Sequence, residues 1–250
     1  MVNFLFKKSY QLKTFKPITY DDLWGKKGVF TTIRIVGREP NYILLFNHIK
    51  NMNSSLKQMN INFSLSEKKL FILVKPLLNL NKSYDHLLRI AVNSNIISFS
   101  LRQRFQSNNN FTAVIISYQR TNPFFKNLYY KKIIKLLSSI NTQKQEVILS
   151  SRGLLLEGCT TNILCVRNKK LYIPIKNYYQ GVTMNFILRK TRRSISKIDI
   201  SIKNLHEFEE ILLVGSGKGV ISLSSIPQIN WNSKSDLLYK ELLILYKELL

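Results

Sequence analysis

Cysteine is scarce in this sequence: Cys159 and Cys165 are the two present among 250 residues. Two thiols cannot staple a chain of this length, and with three histidines they form no zinc-ligand spacing. A disulfide scaffold and a structural metal are therefore excluded, and a reducing compartment is expected. No apolar run approaches the roughly 18 residues of a membrane helix, and the opening MVNFLFKKSYQL has too short an apolar run for a secretory signal. The expectation is a soluble cytoplasmic protein with no membrane role. Acidic residues are also few, 14 Asp+Glu against 38 Lys+Arg, for a formal charge of +24. The basic residues run from Lys7 to Lys247 without forming a stripe, and the densest stretch, LRKTRRSISK from Leu188, is short. A nucleic-acid surface concentrates its cations, so no specific nucleic-acid partner is expected. Abundant Asn, Ile and Lys point instead to compositional drift, and the residual field suits anionic small molecules.

What the chain does have is enough apolar material, 45% with 11% aromatics, to exclude a disordered polycation. Its length allows one large domain or two small ones. Gly28–Val36 (GVFTTIRIV) reads as a strand turning at Gly37–Pro40, and residues 41–59 carry Leu44, Leu45, Ile49, Met52, Leu56 and Met59 at helical spacing. Ser66 caps a second helix that ends near Pro76. Strands follow at LLRIAV from Leu87 and FTAVIISY from Phe111, separated by the polar loop QSNNN. SYQRTNPFF reads as a linker, after which Tyr130, Ile133, Ile134, Leu137 and Ile140 form one helix face. Short strands are expected at Glu146, Asn162, Lys170 and Ile211, a helix near Gly181, and a Ser/Asp-capped terminal helix with Leu238, Leu242, Leu245 and Leu249 on one stripe. The fold class is α+β in two domains: a smaller one over 1–116, a linker over 117–123 and a larger one over 124–250.

Three features of the second half carry chemistry. GLLLEGCTTNILCV delivers one carboxylate, Glu157, out of a buried-looking strand into a Gly/Thr/Asn turn, where it needs a cation or a protonated nitrogen. QGVTMNFIL opens a helix at a Gly-Val-Thr turn, whose N–H groups and dipole suit a phosphate. LLVGSGKGV places a second glycine turn after a strand, another nest of N–H groups. It is no dinucleotide fingerprint, because a strand rather than a helix follows, and it lacks P-loop spacing.

In this order and spacing the motifs resemble the class IV aminotransferases, the fold-type IV pyridoxal-phosphate enzymes, over roughly Tyr20–Leu250. The resemblance implies pyridoxal 5'-phosphate as cofactor, lying between the two domains, and a homodimer. The family's cofactor-bearing lysine precedes the EGxxxN glutamate by about thirty residues; Lys126 stands thirty-one before Glu157. Lys131, Lys132 and Lys135 are nearby but read as the solvated face of a helix. A tyrosine near the cofactor's phenolic oxygen falls on Tyr130, with Tyr129 as the competitor. Lys126 would carry the cofactor and move a proton at the substrate, which an ammonium cannot do at neutral pH. Glu157 would pair with the ring nitrogen. The Val182 and Thr183 N–H groups, the Thr183 hydroxyl and Ser216 would hold the phosphate.

One departure stands out. The family's first helix carries a phosphate-gripping arginine three residues after a histidine, and here that position, after His48, is Asn51. Lys50 would point about 100° around the helix, and Lys218 is a second candidate for the lost charge. A lost charge-assisted bond costs about 1.5–3 kcal/mol. Otherwise His48 reads as a surface or helix-end residue, and the cysteines as inert. Thr31 and Thr32 in GVFTTIR resemble the family's lyase-type strand, with Thr32 facing the substrate. The lyase-type members convert 4-amino-4-deoxychorismate to 4-aminobenzoate and pyruvate in folate biosynthesis. The alternatives are amino transfer from branched-chain or D-amino acids, and a degenerate homologue that binds cofactor weakly and turns nothing over.

Overall fold

A computed structural model describes residues 3–79, 81–106 and 110–250. It falls into two units, Met1–Arg104 with Phe125–Lys131, and Phe105–Phe124 with Lys132–Leu250.

The first unit is built on six antiparallel strands: β1 (Phe4–Gln11), β2 (Pro17–Ile18), β3 (Val29–Gly37), β4 (Asn41–Tyr42), β5 (Tyr84–Val92) and β6 (Ile96–Gln103), ordered β2-β1-β6-β5-β3-β4. Two helices, α1 (Leu45–Gln58) and α2 (Glu67–Val74), complete it. Strand alternation puts Val29, Ile33 and Ile35 on one face. There they join Leu88, Ile90, Phe99 and the Ile49, Met52 and Leu56 stripe of α1 in one core. Each such aliphatic side chain removed from water contributes about 1.5–3 kcal/mol. Helix α1 starts later than its apolar spacing predicts, because Leu44 sits in the left-handed region at φ 54° and residues 41–42 pair with β3 instead. Ser66 caps α2 as expected, accepting the Lys69 N–H at 3.2 Å.

Among the described residues, the second unit holds nine strands: β7 (Phe111–Ser117), β8 (Gln145–Ser151), β9 (Leu154–Gly158), β10 (Asn162–Arg167), β11 (Lys170–Pro174), β12 (Ile195–Ile198), β13 (Glu210–Gly215), β14 (Gly219–Ile226) and β15 (Trp231–Asn232). Their order is β12-β11-β10-β13-β14-β7-β8-β9, with β15 on β14. The β7–β8, β14–β7 and β11–β12 pairs are parallel. Three helices accompany the sheet: α3 (Lys131–Ser138), α4 (Val182–Lys190) and α5 (Leu237–Lys247). One sheet face closes around Phe111, Ile148, Ile163, Ile211, Leu213, Leu223 and Trp231. In α5 the buried stripe is Leu238, Leu242 and Tyr246, an i, i+4, i+8 row, not the Leu245 and Leu249 positions. Its N-terminus is capped by a residue remote in sequence. Fully buried Glu210 accepts the Leu238 and Tyr239 N–H groups at 3.0 and 2.8 Å; of the expected Ser/Asp cap, Ser235 Oγ accepts the Leu237 N–H at 3.1 Å while Asp236 makes no side-chain cap.

The division differs from the expected 1–116, 117–123 and 124–250. The strand Phe111–Ser117 pairs with β8 and β14, so it belongs to the second unit. Residues 126–128 return to β3: Lys126 C=O accepts the Phe30 N–H at 2.9 Å and the Leu128 N–H donates to Gly28 C=O at 2.9 Å. The short loop expected at Gln106–Asn110 falls mostly outside the described residues. Among the described residues, no helix is long and apolar enough to cross a membrane.

Candidate active site

The residues singled out from sequence form two groups, one in each unit.

In the first unit, β3 carries two chemically different faces. Thr31 points into the core, where its hydroxyl lies 2.8 Å from His48 Nδ1. His48 is therefore not a surface residue. Burial and the charge of Lys126 push its pKa down to about 3, so it stays neutral at physiological pH. The opposite face holds Phe30, Thr32 and Arg34, with Arg89 directly across from Thr32 on β5. Lys126 is held against this edge by its bond to Phe30, and its ammonium lies 5.6 Å from the Phe30 ring. Tyr130 is buried, stacks on Trp24 at 5.4 Å and meets Phe30 edge-on at 5.1 Å, whereas Tyr129 is exposed. The structure thus gathers Lys126, Tyr130, Phe30 and Thr32 on one side of this unit. Lys131, Lys132 and Lys135 are exposed on α3.

Arg89 is a residue that sequence reasoning missed. Its guanidinium stacks 3.6 Å over Trp24 and donates to Asp22 C=O at 2.7 Å. Among the described residues its Nε is buried with no hydrogen-bond partner. Burial pushes its pKa down to about 10, which leaves it a cation at neutral pH. A desolvated donor of this kind, beside a threonine and two aromatic rings, is built to receive an anionic acceptor. The signal in sequence was a lone arginine inside an otherwise apolar strand, LLRIAV.

In the second unit, Glu157 ends β9 and Asn162 begins β10. The hairpin between them, closed by the Gly158 N–H to Thr161 C=O bond of 2.9 Å, aims both side chains at one loop. Glu157 accepts the Tyr179 N–H at 3.2 Å. Asn162 donates to Tyr179 C=O and accepts the Gly181 N–H at 2.9 Å. The EGxxxN spacing is thereby explained: glutamate and asparagine together pin the loop that launches α4. The glycines fit the same geometry. A methyl on Gly158 would overlap Thr161 Oγ1, and one on Gly181 would stand 2.7 Å from Asn162 Oδ1.

The cation that Glu157 required is Arg120, in the stretch read as a linker. Its Nε and a terminal nitrogen donate to the two carboxylate oxygens at 2.7 and 2.8 Å, and both side chains are 5% exposed. Sequence reasoning passed over Arg120 because the surrounding SYQRTNPFF is polar and contains proline.

At the start of α4, Gly181 offers no side-chain cap, so the first-turn N–H groups of Val182 and Thr183 face an open acceptor position. The Thr183 hydroxyl lies 3.1 Å from that of Ser216, which brings the two glycine turns together. Helix N–H groups, a dipole and two converging hydroxyls suit a phosphate. Lys218 is occupied differently. It sits 3.6 Å from Glu146, donates to Thr142 C=O at 3.2 Å and covers the Phe111 ring at 4.3 Å. Much of its charge offsets fully buried Glu146, which also accepts from Thr160 and Thr161. Lys50 is exposed and Asn51 half-buried. Cys159 and Cys165 are buried and form no disulfide; burial pushes both thiols up, which suits inert side chains. Among the described residues, no group of three or more His, Cys, Asp or Glu side chains could hold a metal ion.

The amino-transferase class IV family model matches residues 28–226. The chain is 23% identical to the aminodeoxychorismate lyase of Bacillus subtilis (strain 168), over 93% of this chain and 88% of that protein. Among solved structures it resembles a Legionella pneumophila protein provisionally assigned as a 4-amino-4-deoxychorismate lyase. The TM-score there is 0.72 at 17% identity, covering 88% of this chain and 90% of that one. It also resembles the branched-chain aminotransferase of the thermophilic archaeon Thermoproteus uzoniensis, solved with norvaline. In that case the TM-score is 0.79 at 15% identity, covering 96% and 93%.

Proposed function

Because this chain belongs to the class IV aminotransferase family, we propose that it is a pyridoxal-phosphate-dependent lyase that converts 4-amino-4-deoxychorismate to 4-aminobenzoate and pyruvate. The observation that carries the choice of substrate is Arg89, a half-buried cation whose Nε is buried with no hydrogen-bond partner among the described residues, paired across the sheet with Thr32. An anionic substrate supplies the missing acceptor, and aminodeoxychorismate has two carboxylates.

When bound, pyridoxal phosphate draws electrons from the bonds around the substrate's amine-bearing carbon. The roles of this chain's residues follow from their chemistry. Lys126 would be the attachment point, and its amine would be the group that moves a proton between the substrate's amine-bearing carbon and the leaving enolpyruvyl group. Loss of pyruvate aromatises the ring, which drives the reaction. Tyr130 would lie toward the cofactor's phenolic oxygen, and Thr32 and Arg89 would orient the substrate. Glu157, kept as a carboxylate beside Arg120, is the partner for a protonated ring nitrogen. The Val182 and Thr183 N–H groups with the Thr183 and Ser216 hydroxyls hold the phosphate. These donors are neutral, and the position where the family carries its phosphate-gripping arginine is Asn51. The working form is a homodimer in the cytoplasm, as the family resemblance implies, and two buried thiols that form no disulfide suit a reducing compartment. The chain would then act in folate biosynthesis.

Adding pyridoxal phosphate to the purified protein should produce a visible absorption band that Lys126→Ala abolishes. Supplying aminodeoxychorismate should then release 4-aminobenzoate and pyruvate in equal amounts. Release of a keto acid from a branched-chain or D-amino acid, without 4-aminobenzoate, would move the assignment to the aminotransferase reading. Absence of any band at saturating cofactor would leave a degenerate homologue.

A further inference from the structure

We propose that Arg120 is a positioning residue: it and the cofactor's ring nitrogen share one carboxylate, Glu157. Arg120 fixes that carboxylate as an ion before the cofactor arrives and tempers its pull on the ring proton afterwards. The inference rests on the cofactor reading above and goes beyond it, because it assigns a role to a residue outside the expected contacts.

The geometry carries it. The pair is bidentate, with donor–acceptor distances of 2.7 and 2.8 Å, the strong planar fork that a guanidinium makes with a carboxylate. Each side chain is 5% exposed, so water screens the pair little. Arg120 is itself held, donating to Pro123 C=O at 3.3 Å, and Glu157 is held from the other side by the Tyr179 N–H. A carboxylate so placed can neither rotate away nor pick up a proton without breaking charge-assisted bonds. Glu146 offers an internal contrast. It is equally buried in the same unit, yet it makes no bidentate pair; its partners are two threonine hydroxyls, the Val147 N–H and Lys218 at 3.6 Å. A guanidinium fork is therefore not the general solution to carboxylate burial in this unit, and it stands where the ring nitrogen is expected. Sharing the negative charge between two cations leaves Glu157 a weaker base toward either one. The ring proton is then held less tightly than a lone buried glutamate would hold it.

The test compares wild type, Arg120→Gln and Arg120→Lys, each with pyridoxal phosphate and with its carbocyclic analogue, in which the ring nitrogen is a C–H group. In Arg120→Gln the ring nitrogen supplies the cation that the guanidinium supplied. Pyridoxal phosphate should therefore raise its Tm by roughly 4–8 °C more than it raises that of the wild type. The carbocyclic analogue should give no such excess. With cofactor labelled at the ring nitrogen, the nitrogen-15 resonance should move toward the pyridinium position in Arg120→Gln, with Arg120→Lys between it and wild type. Should Arg120→Gln fail to fold, the resonance of Arg120→Lys alone decides, since a purely structural arginine leaves it at the wild-type position. Equal Tm gains from both cofactors in all proteins, with an unmoved resonance, would overturn the proposal. If the wild type itself binds neither cofactor, the functional reading falls, and this inference falls with it.

Discussion

Asn162→Ala tests the explanation offered for the glutamate–asparagine hairpin. The side chain is 5% exposed and makes two bonds to one loop, donating to Tyr179 C=O and accepting the Gly181 N–H. Neither bond can be replaced by a methyl group. Each is worth about 0.5–1.5 kcal/mol net, and a group left without a partner costs about 1–3 kcal/mol where water cannot reach it. Tyr179 and Gly181 are half-buried, so water recovers part of the loss. Together these give a destabilisation of about 2–3 kcal/mol. Urea unfolding should show it as a lower midpoint at unchanged slope. Because Gly181 is the residue from which α4 springs, the turn proposed to hold the phosphate should loosen as well, weakening pyridoxal-phosphate binding roughly tenfold. Asn162→Asp sharpens the test. It keeps the acceptor for Gly181 but sets a carboxylate oxygen against Tyr179 C=O, a repulsion relieved when the acid is protonated. Its folded-state pKa should therefore rise, and its stability relative to wild type should be better at pH 4 than at pH 7. A loss below about 0.5 kcal/mol in Asn162→Ala would refute the reasoning, since it would mean the loop is held by something else.

Two other outcomes are expected. His48 is neutral in the folded chain down to about pH 3, whereas an unfolded histidine takes up its proton near 6.5. Below pH 6.5 the unfolded state thus binds more protons, and stability falls on acidification toward pH 3 by up to about 1.4 kcal/mol per pH unit. Urea unfolding across that range should show the slope, and His48→Gln should remove this part of it. Glu146→Ala leaves Lys218 without its carboxylate and two threonine hydroxyls without their acceptor, and it should cost about 3–5 kcal/mol. An equally stable variant in thermal unfolding would show that Lys218 finds another counter-charge.

Much of the fold is legible from periodicity. The alternation of GVFTTIRIV gives β3, the apolar row Ile49, Met52 and Leu56 gives α1, and Ser66 marks the start of α2. Strands β1 and β6 escape notice because FLFKKSYQ and IISFSLRQ mix charged and hydroxyl residues into short apolar runs. They are recognisable as strands only once paired with each other. The domain boundary is missed for a related reason. An apolar strand such as Phe111–Ser117 carries no mark of which sheet it will join, and here it pairs with strands that follow it by more than thirty residues. At the site, residues whose chemistry is conspicuous in sequence, such as a carboxylate in an apolar strand or glycine turns beside strands and a helix, can be picked out. Arg120 cannot, since a basic residue in a polar stretch of a chain of net charge +24 carries almost no information until its burial is known, whereas Arg89 is marked by standing alone in an apolar strand.

The return of residues 125–131 to the first unit has a consequence for how the chain is made. On a ribosome, residues 1–104 emerge first and hold all six strands described for that unit. Yet the edge of β3 at Gly28–Phe30 has its hydrogen-bonding partner only once Lys126–Leu128 have appeared. By then β7 has also been synthesised, although its partners β8 and β14 have not. The two units therefore mature in overlapping rather than successive windows of vectorial synthesis. Lys126, proposed above to carry the cofactor, arrives with the last piece of the first unit's sheet, so completing that edge and placing this lysine are a single event.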